Sequence, residues 1–127
     1  MGSSRELRGQ ALAYDGALWA GLDPVVVVTA NYRLGPLGFL ADPSLADADG
    51  HSGNWGAMDQ QAALRWVHEH IDRFGGDPTK IVAMGHSAGA AGVCALLHAR
   101  DAAGLLAGGV MHSGACLTLP EAITAQT

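Results

Sequence analysis

Charge is scarce in this sequence. Only 15% of the 127 residues are charged, and 7 Lys or Arg face 12 Asp or Glu. With a net charge of -5, nothing favours nucleic acid or an anionic membrane as partner. Long apolar runs are absent too, and none approaches the ~20 residues of a membrane span. Met1 to Gln10 is polar and has no apolar h-region, so it does not read as a signal peptide, which favours a cytoplasmic chain. Cysteine occurs at Cys94 and Cys116 alone. No metal or redox spacing surrounds them, so both read as buried small hydrophobes, with a disulfide between them the less favoured alternative. His51, His68 and His70 show no metal-ligand arrangement, and His68, near Trp66 and Glu69, reads as solvated. No repeat or low-complexity segment is present.

What remains is the composition of a globular chain, 49% hydrophobic and long enough for one domain with a real core. Residues Leu12 to Ala20 read as a short helix stopped by Gly21, followed by an Asp23-Pro24 turn. Val25 to Asn31 is a β-branched run, too short for most helices, and reads as a strand buried on both faces. Leu34 to Gly50 reads as a loop. Gly56 to Phe74 reads as a helix with Ala63, Val67, His70, Ile71 and Phe74 on its apolar face, closed by Gly75 and Pro78. Ile81 to His86 is a second buried strand, Ala88 to Ala99 a helix, and Ala107 to His112 a third strand. Strands alternating with helices imply an α/β fold with parallel strands and crossover helices.

Gly85-His86-Ser87-Ala88-Gly89 matches G-x-S-x-G between a strand and a helix, the setting of a nucleophile elbow. A sharp strand-to-helix turn excludes bulky flanking side chains and presents Ser87 at the C-terminal edge of the sheet. The Ala88 N–H, at a helix N-terminus, is free to donate to an oxyanion. In a glycine-rich chain this pattern alone is weak evidence.

Its surroundings are more specific. Asn31-Tyr32-Arg33-Leu34-Gly35-Pro36-Leu37-Gly38-Phe39-Leu40, Gly53 to Val67 (GNWGAMDQQAALRWV), Phe74-Gly75-Gly76-Asp77-Pro78, the elbow and Ser113-Gly114 follow in order. Tyr14-Asp15-Gly16 precedes them. Together these segments resemble the type-B carboxylesterase and lipase family of the α/β-hydrolase superfamily. The resemblance implies that Ser87 is the acylated nucleophile and that Ala88 supplies an oxyanion N–H. It also implies a buried ion pair between Arg33 and Asp59, and places Ser113 near the catalytic histidine. His86 stands where the family usually has an acidic residue and would alter charge beside Ser87.

The chain also departs from the family pattern. The His-Gly-Gly loop of the family, with its further oxyanion donors, has no counterpart here. The family's acid and histidine lie far downstream of the serine, whereas 40 residues follow Ser87. The strand that in the family leads to the His-Gly-Gly loop, between the matches of Val25–Asn31 and Ile81–His86, is likewise absent. The chain therefore reads as a partial α/β-hydrolase domain over 1–127, lacking that strand and the acid and histidine portion. A local triad of Ser87, Asp101 and His112 is opposed by distance, because the helix from Ala88 carries Asp101 roughly 18 Å away. His98 fails likewise. His112 ends the strand beside the elbow, and reads as a packed or hydrogen-bonded side chain.

The expected function is hydrolysis of a small or medium uncharged carboxylic ester through an acyl-enzyme, with no cofactor or metal. The isolated chain is expected to be nearly inactive. A non-catalytic interaction protein of the same fold, or an inactive truncated gene product, is the alternative; oligomeric state is left open.

Overall fold

The computed structural model describes residues 16–48, 50–114 and 116. In order, the chain forms α1 (Ala17–Leu22), α2 (Gly35–Phe39), α3 (Trp55–His70), β1 (Val82–His86), α4 (Ala88–His98) and β2 (Gly108–His112). Four short 3₁₀ turns lie between them, at Pro43–Leu45, Ile71–Phe74, Pro78–Lys80 and Arg100–Ala102. Of the helix expected from Leu12, residues 12–15 lie outside the described residues, as do Tyr14 and Asp15 of the Tyr14-Asp15-Gly16 segment. No helix among the described residues is long and apolar enough to cross a membrane.

The centre of the structure is a β–α–β unit. β1 and β2 pair in parallel, in a register running from Val82 beside Gly108 to His86 beside His112. Side chains alternate across a strand, so one face of this ribbon carries Val82, Met84, His86, Val110 and His112. The other face turns to α4, and Gly109 lets the helix come close. A Cβ added at Gly109 would stand 2.7 Å from Val93 Cγ1 and 3.0 Å from Leu97 Cδ1. Ala90, Val93, Cys94 and Leu96 of α4 are buried. Full burial of a side chain such as Val93 contributes about 1.5–3 kcal/mol relative to exposure. Leu64 of α3 joins Leu96 and Ala102 in the core, with Ile81, Ala99, Leu105 and Leu106 packed around them.

The strands depart from the expectation of two buried faces. Val82 is 55% and Met84 45% exposed, because α4 covers one face only. Val25–Asn31 forms no strand, and Val25 to Val28 are 39–46% exposed. A β-branched run favours extended backbone, but a strand exists only through ladder bonds to a neighbour. Among the described residues the sheet has two strands, and neither pairs with this run. The segment expected as plain loop, Leu34–Gly50, includes α2, with Pro36 in its first turn.

α3 ends near the expected place. Ile71–Phe74 tightens into a 3₁₀ turn, and Gly75 takes a left-handed φ of 82°. The Gly75 N–H donates to Asp72 O at 3.0 Å and the Gly76 N–H to Ile71 O at 2.9 Å, closing the helix. Its buried stripe is Gly56, Gln60 and Leu64, continued by Ile71 as expected; Ala63, Val67 and His70 are half-buried along its edge, and Phe74 is 60% exposed. The reason is the partner surface. Gly92 of α4 lies against the Gln60 side chain, so close approach turns the stripe toward Gln60 and Leu64. His68 is half-buried rather than solvated, and its Nδ1 has no hydrogen-bond partner among the described residues. Beyond the helix, Asp77 caps the next turn. Its carboxylate accepts from the Thr79 N–H at 2.9 Å and the Thr79 hydroxyl at 2.7 Å, and pairs with Lys80, which holds its pKa at about 2.

Cys94 and Cys116 are joined by a disulfide with Cα atoms 5.5 Å apart, contrary to the reading of two separate hydrophobes. The cause is non-local. β2 runs beside β1 and returns the chain to the start of α4, where Gly114 lies so close that an added Cβ would stand 2.8 Å from Ser87 O. That return brings Cys116 onto the buried Cys94. The bond spans 22 residues, and closing a loop of that size restricts the unfolded chain by about 3 kcal/mol.

Arg33 and Asp59 pair as the resemblance implies, but at the surface. Arg33 Nη2 donates to Asp59 Oδ1 at 2.7 Å, Nε to Oδ2 at 2.8 Å, and the Arg33 backbone N–H to Oδ2 at 2.9 Å. The side chains are 52% and 27% exposed, so the pair is solvent-facing rather than buried. α2 and α3 meet beneath it: Gly38 and Gly56 both press on the Arg33 carbonyl, leaving the guanidinium on the outside. The Arg33 hydrogen bond lowers the Asp59 pKa, with partial burial opposing it.

Two outcomes follow from this packing. Gly109→Val should push α4 off the sheet and lower unfolding free energy by about 1–3 kcal/mol, read by urea denaturation. An unchanged midpoint would show that the helix does not rest on this glycine. The lowered Asp59 pKa gives the second. Its contribution is present above the unfolded carboxylate pKa, near about 4, and is lost as pH falls through the folded value. Asp59→Asn should therefore be less stable than the parent at neutral pH and flatten the acid limb of the stability profile. Parallel acid limbs would contradict this.

Candidate active site

The site is built at the junction of β1 and α4. Ser87 has φ 55° and ψ -119°, a conformation uncommon for any residue but glycine, and costs on the order of 1–3 kcal/mol. The surroundings hold it there. The Ser87 N–H donates to His112 O at 2.9 Å, extending the β1–β2 ladder by one bond, and the Ala90 N–H donates to Ser87 O at 2.9 Å, starting the helix. The two motif glycines make the turn possible. A Cβ on Gly85 would collide with the Gly89 carbonyl and stand 2.8 Å from Ala90 N. The x positions are free of that constraint, and His86, Ser87 and Ala88 are exposed while Gly85 and Gly89 are buried.

Ala88 is the first residue of α4, and its N–H has no hydrogen-bond acceptor among the described residues. It stands at the positive pole of an 11-residue helix beside the serine hydroxyl. A hydroxyl and an unpaired N–H on one turn can meet the carbon and the oxygen of the same carbonyl group.

His86 and His112 flank the serine. They are register partners at the ends of β1 and β2, with ring centroids 5.3 Å apart and planes tilted by 34°. His112 Nδ1 shares a hydrogen bond of 2.9 Å with the Ser113 hydroxyl, its direction set by the imidazole tautomer. Ser113 itself has φ 54°, the other non-glycine residue of positive φ among those described. The histidine that Ser113 meets is thus its own neighbour.

No hydrogen bond joins the Ser87 hydroxyl to a histidine among the described residues. Asp101 lies in the turn beyond α4, and its carboxylate is 4.0 Å from Arg65 Nη1. The Nδ1 of His98 bonds the Cys94 carbonyl at 2.9 Å. His51 Nδ1 meets the Asp47 carboxylate at 3.2 Å, but no hydrogen bond links that pair to Ser87. Arg33 and Asp59 bind the segment after Val25–Asn31 to α3 and make no bond to the serine. One cluster escaped the sequence reading. Cys94, His98 and Cys116 bring their sulfur and ring nitrogen atoms within 4.8 Å of one another. The i, i+4 spacing of Cys94 and His98 on one helix face was its available signal.

Comparison with known proteins places these features. The sequence model of the Carboxylesterase family matches residues 1–126. The para-nitrobenzyl esterase of Bacillus subtilis is 45% identical over 119 residues, covering 94% of this chain and 24% of that protein. The human cocaine esterase is 46% identical over 110 residues, covering 86% of this chain and 19% of its own length. Among solved structures, a thermophilic PNB esterase superposes with a TM-score of 0.80 at 44% identity, over 90% of this chain and 23% of that one. A carboxylesterase of Geobacillus stearothermophilus, solved at pH 6.2, gives 0.80 at 43% identity over 98% of this chain and 26% of that one. The chain thus spans about a quarter or less of the length of these relatives. With near-complete coverage by the family and with parallel strands joined through a strained serine turn, the chain belongs to the carboxylesterase family and carries part of an α/β-hydrolase fold.

Proposed function

We propose that this chain carries the nucleophile of a carboxylic ester hydrolase, and that Ser87 is that nucleophile. The observation behind the reading is the strained Ser87 turn, with the free Ala88 N–H beside the hydroxyl. In the reaction, Ser87 Oγ attacks the ester carbonyl carbon while a general base takes its proton. The carbonyl oxygen becomes an oxyanion facing the Ala88 N–H. Collapse of the intermediate expels the alcohol, which takes the proton back, and leaves an acyl group on Ser87. Water then repeats the sequence and releases the acid. No cofactor or metal is needed for these steps.

The base, the acid behind it and the remaining oxyanion donors are assigned to polypeptide outside residues 1–127. Support comes from the bonding around Ser87, where no described histidine reaches the hydroxyl, and from relatives about four times as long. Ser113, whose hydroxyl shares a hydrogen bond with His112, is assigned a place near that histidine, and His86 is assigned to setting charge at the mouth of the site. The substrate class is a small or medium uncharged ester, in keeping with a relative named for para-nitrobenzyl esters. A non-catalytic reading is favoured by one observation, the missing base, and is opposed by the retained strain at Ser87.

Two measurements separate these readings. The first is p-nitrophenyl acetate hydrolysis by residues 1–127 alone. A serine without its base loses about six orders of magnitude in kcat, so turnover should lie near background. Turnover at the rate of the full-length relatives would overturn the assignment of the base elsewhere. The second places residues 1–127 within the B. subtilis esterase in exchange for its matching segment. That hybrid should hydrolyse the ester, and Ser87→Ala should abolish it. A hybrid whose activity survives Ser87→Ala would remove the nucleophile from Ser87.

A further inference from the structure

Behind the elbow, at the far end of α4, lies the cluster of Cys94, His98 and Cys116. It takes no part in the proposed ester chemistry. Cys94 is buried, Cys116 half-buried and His98 exposed, so the group opens to solvent on one side. In the structure the two sulfurs are bonded. The imidazole Nδ1 lies 3.8 Å from Cys94 Sγ.

We infer that, once the Cys94–Cys116 disulfide is reduced, Cys94, Cys116 and His98 form a binding site for one Zn²⁺ ion. Three observations carry this. The first is ligand chemistry: two thiolates and an imidazole are donors that suit zinc, and their side chains all converge on one point. The second is distance. A tetrahedral ion with Zn–S of about 2.3 Å and Zn–N of about 2.0 Å places its sulfurs roughly 3.7 Å apart and sulfur from nitrogen roughly 3.5 Å. Cys94 Sγ and His98 Nδ1 are already at 3.8 Å, and the three donors lie within 4.8 Å. Parting the sulfurs to the required distance therefore needs little backbone movement. The third is electrostatic. His98 is the last residue of α4, at the negative pole of the helix, where a cation is stabilised.

The chemistry balances with a dithiol as reductant. Its thiolate attacks the more exposed Cys116 sulfur, and the Cys94 thiolate leaves beside the His98 ring. The second thiol of the reductant then resolves the mixed disulfide. The products are two cysteine thiols and the cyclic disulfide of the reductant, a transfer of two electrons. Zinc then displaces two thiol protons. His98 Nδ1 gives up its bond to the Cys94 carbonyl and becomes a ligand, and water takes the fourth position. The disulfide and the metal are thus alternative clamps on one place. Each ties Cys116 to α4, two residues beyond Gly114, which itself lies against the Ser87 carbonyl.

Cobalt(II) in place of zinc gives a direct readout through thiolate-to-metal charge transfer. Chain 1–127 is reduced with a phosphine, thiol titration confirms two free thiols, and Co²⁺ is titrated in. The reduced chain should take up one equivalent with a charge-transfer band that Zn²⁺ abolishes, and the oxidised chain should show none. Cys116→Ser should lose the band. His98→Ala, a change at an exposed side chain, should weaken uptake by at least about tenfold while circular dichroism stays unchanged. Absence of stoichiometric uptake by the fully reduced chain would overturn the site. So would uptake that is the same in His98→Ala and Cys116→Ser.

Discussion

Everything that positions this site depends on one close contact, the approach of Gly85 to the Gly89 carbonyl across the Ser87 turn. No side chain fits there. The contact lets β1 pass into α4 within a single residue, at the expense of a left-handed φ at Ser87. The strain is held by bonds on both sides: the His112 carbonyl takes the Ser87 N–H, and the Ser87 carbonyl starts the helix. It follows that β2, α4 and the serine are a single mechanical unit. The sheet supplies the edge, the helix supplies the polarised N–H, and the turn places a hydroxyl beside it.

The rest of the structure supports that unit from one side. α3 is fixed against α4 where Gln60 meets Gly92, and Arg33 and Asp59 pin the preceding loop to α3. The disulfide fixes the segment beyond β2 to the middle of α4. The opposite face of the two-stranded sheet carries Val82, Met84 and Val110 in the open, and the Val25–Val28 run is half exposed. Apolar side chains in such positions have burial energy still to be gained, on the order of 25 cal/mol per Å² covered.

How much of this could be read from the sequence follows the range of each interaction. The β1–Ser87–α4–β2 unit was legible, because a strand, a turn needing two glycines and a small-residue helix are local features. The Arg33–Asp59 pair was reached only through resemblance, and its exposure was not, since solvent contact depends on what α2 and α3 leave uncovered. Val25–Asn31 shows a limit of another kind. Its β-branched pattern describes a strand that requires neighbours, and pattern alone does not supply them. On α3 the apolar residues gave the buried side, with Ile71 at its centre, but the stripe is turned by roughly 40° toward Gln60 and Leu64, because the contact with α4 is set by shape at Gly92. Cys94 and Cys116, 22 residues apart, meet only when β2 pairs with β1.

The account stands or falls on Ser87 as the acyl acceptor. The most direct test is covalent trapping. The B. subtilis esterase carrying residues 1–127 in place of its own segment is treated with an activated phosphonate ester, and its peptides are analysed by mass spectrometry. The account requires one phosphonyl group, on the Ser87 hydroxyl, with hydrolysis lost in step with its attachment. A phosphonyl group on another residue accompanied by loss of activity, with Ser87 unmodified, would contradict it.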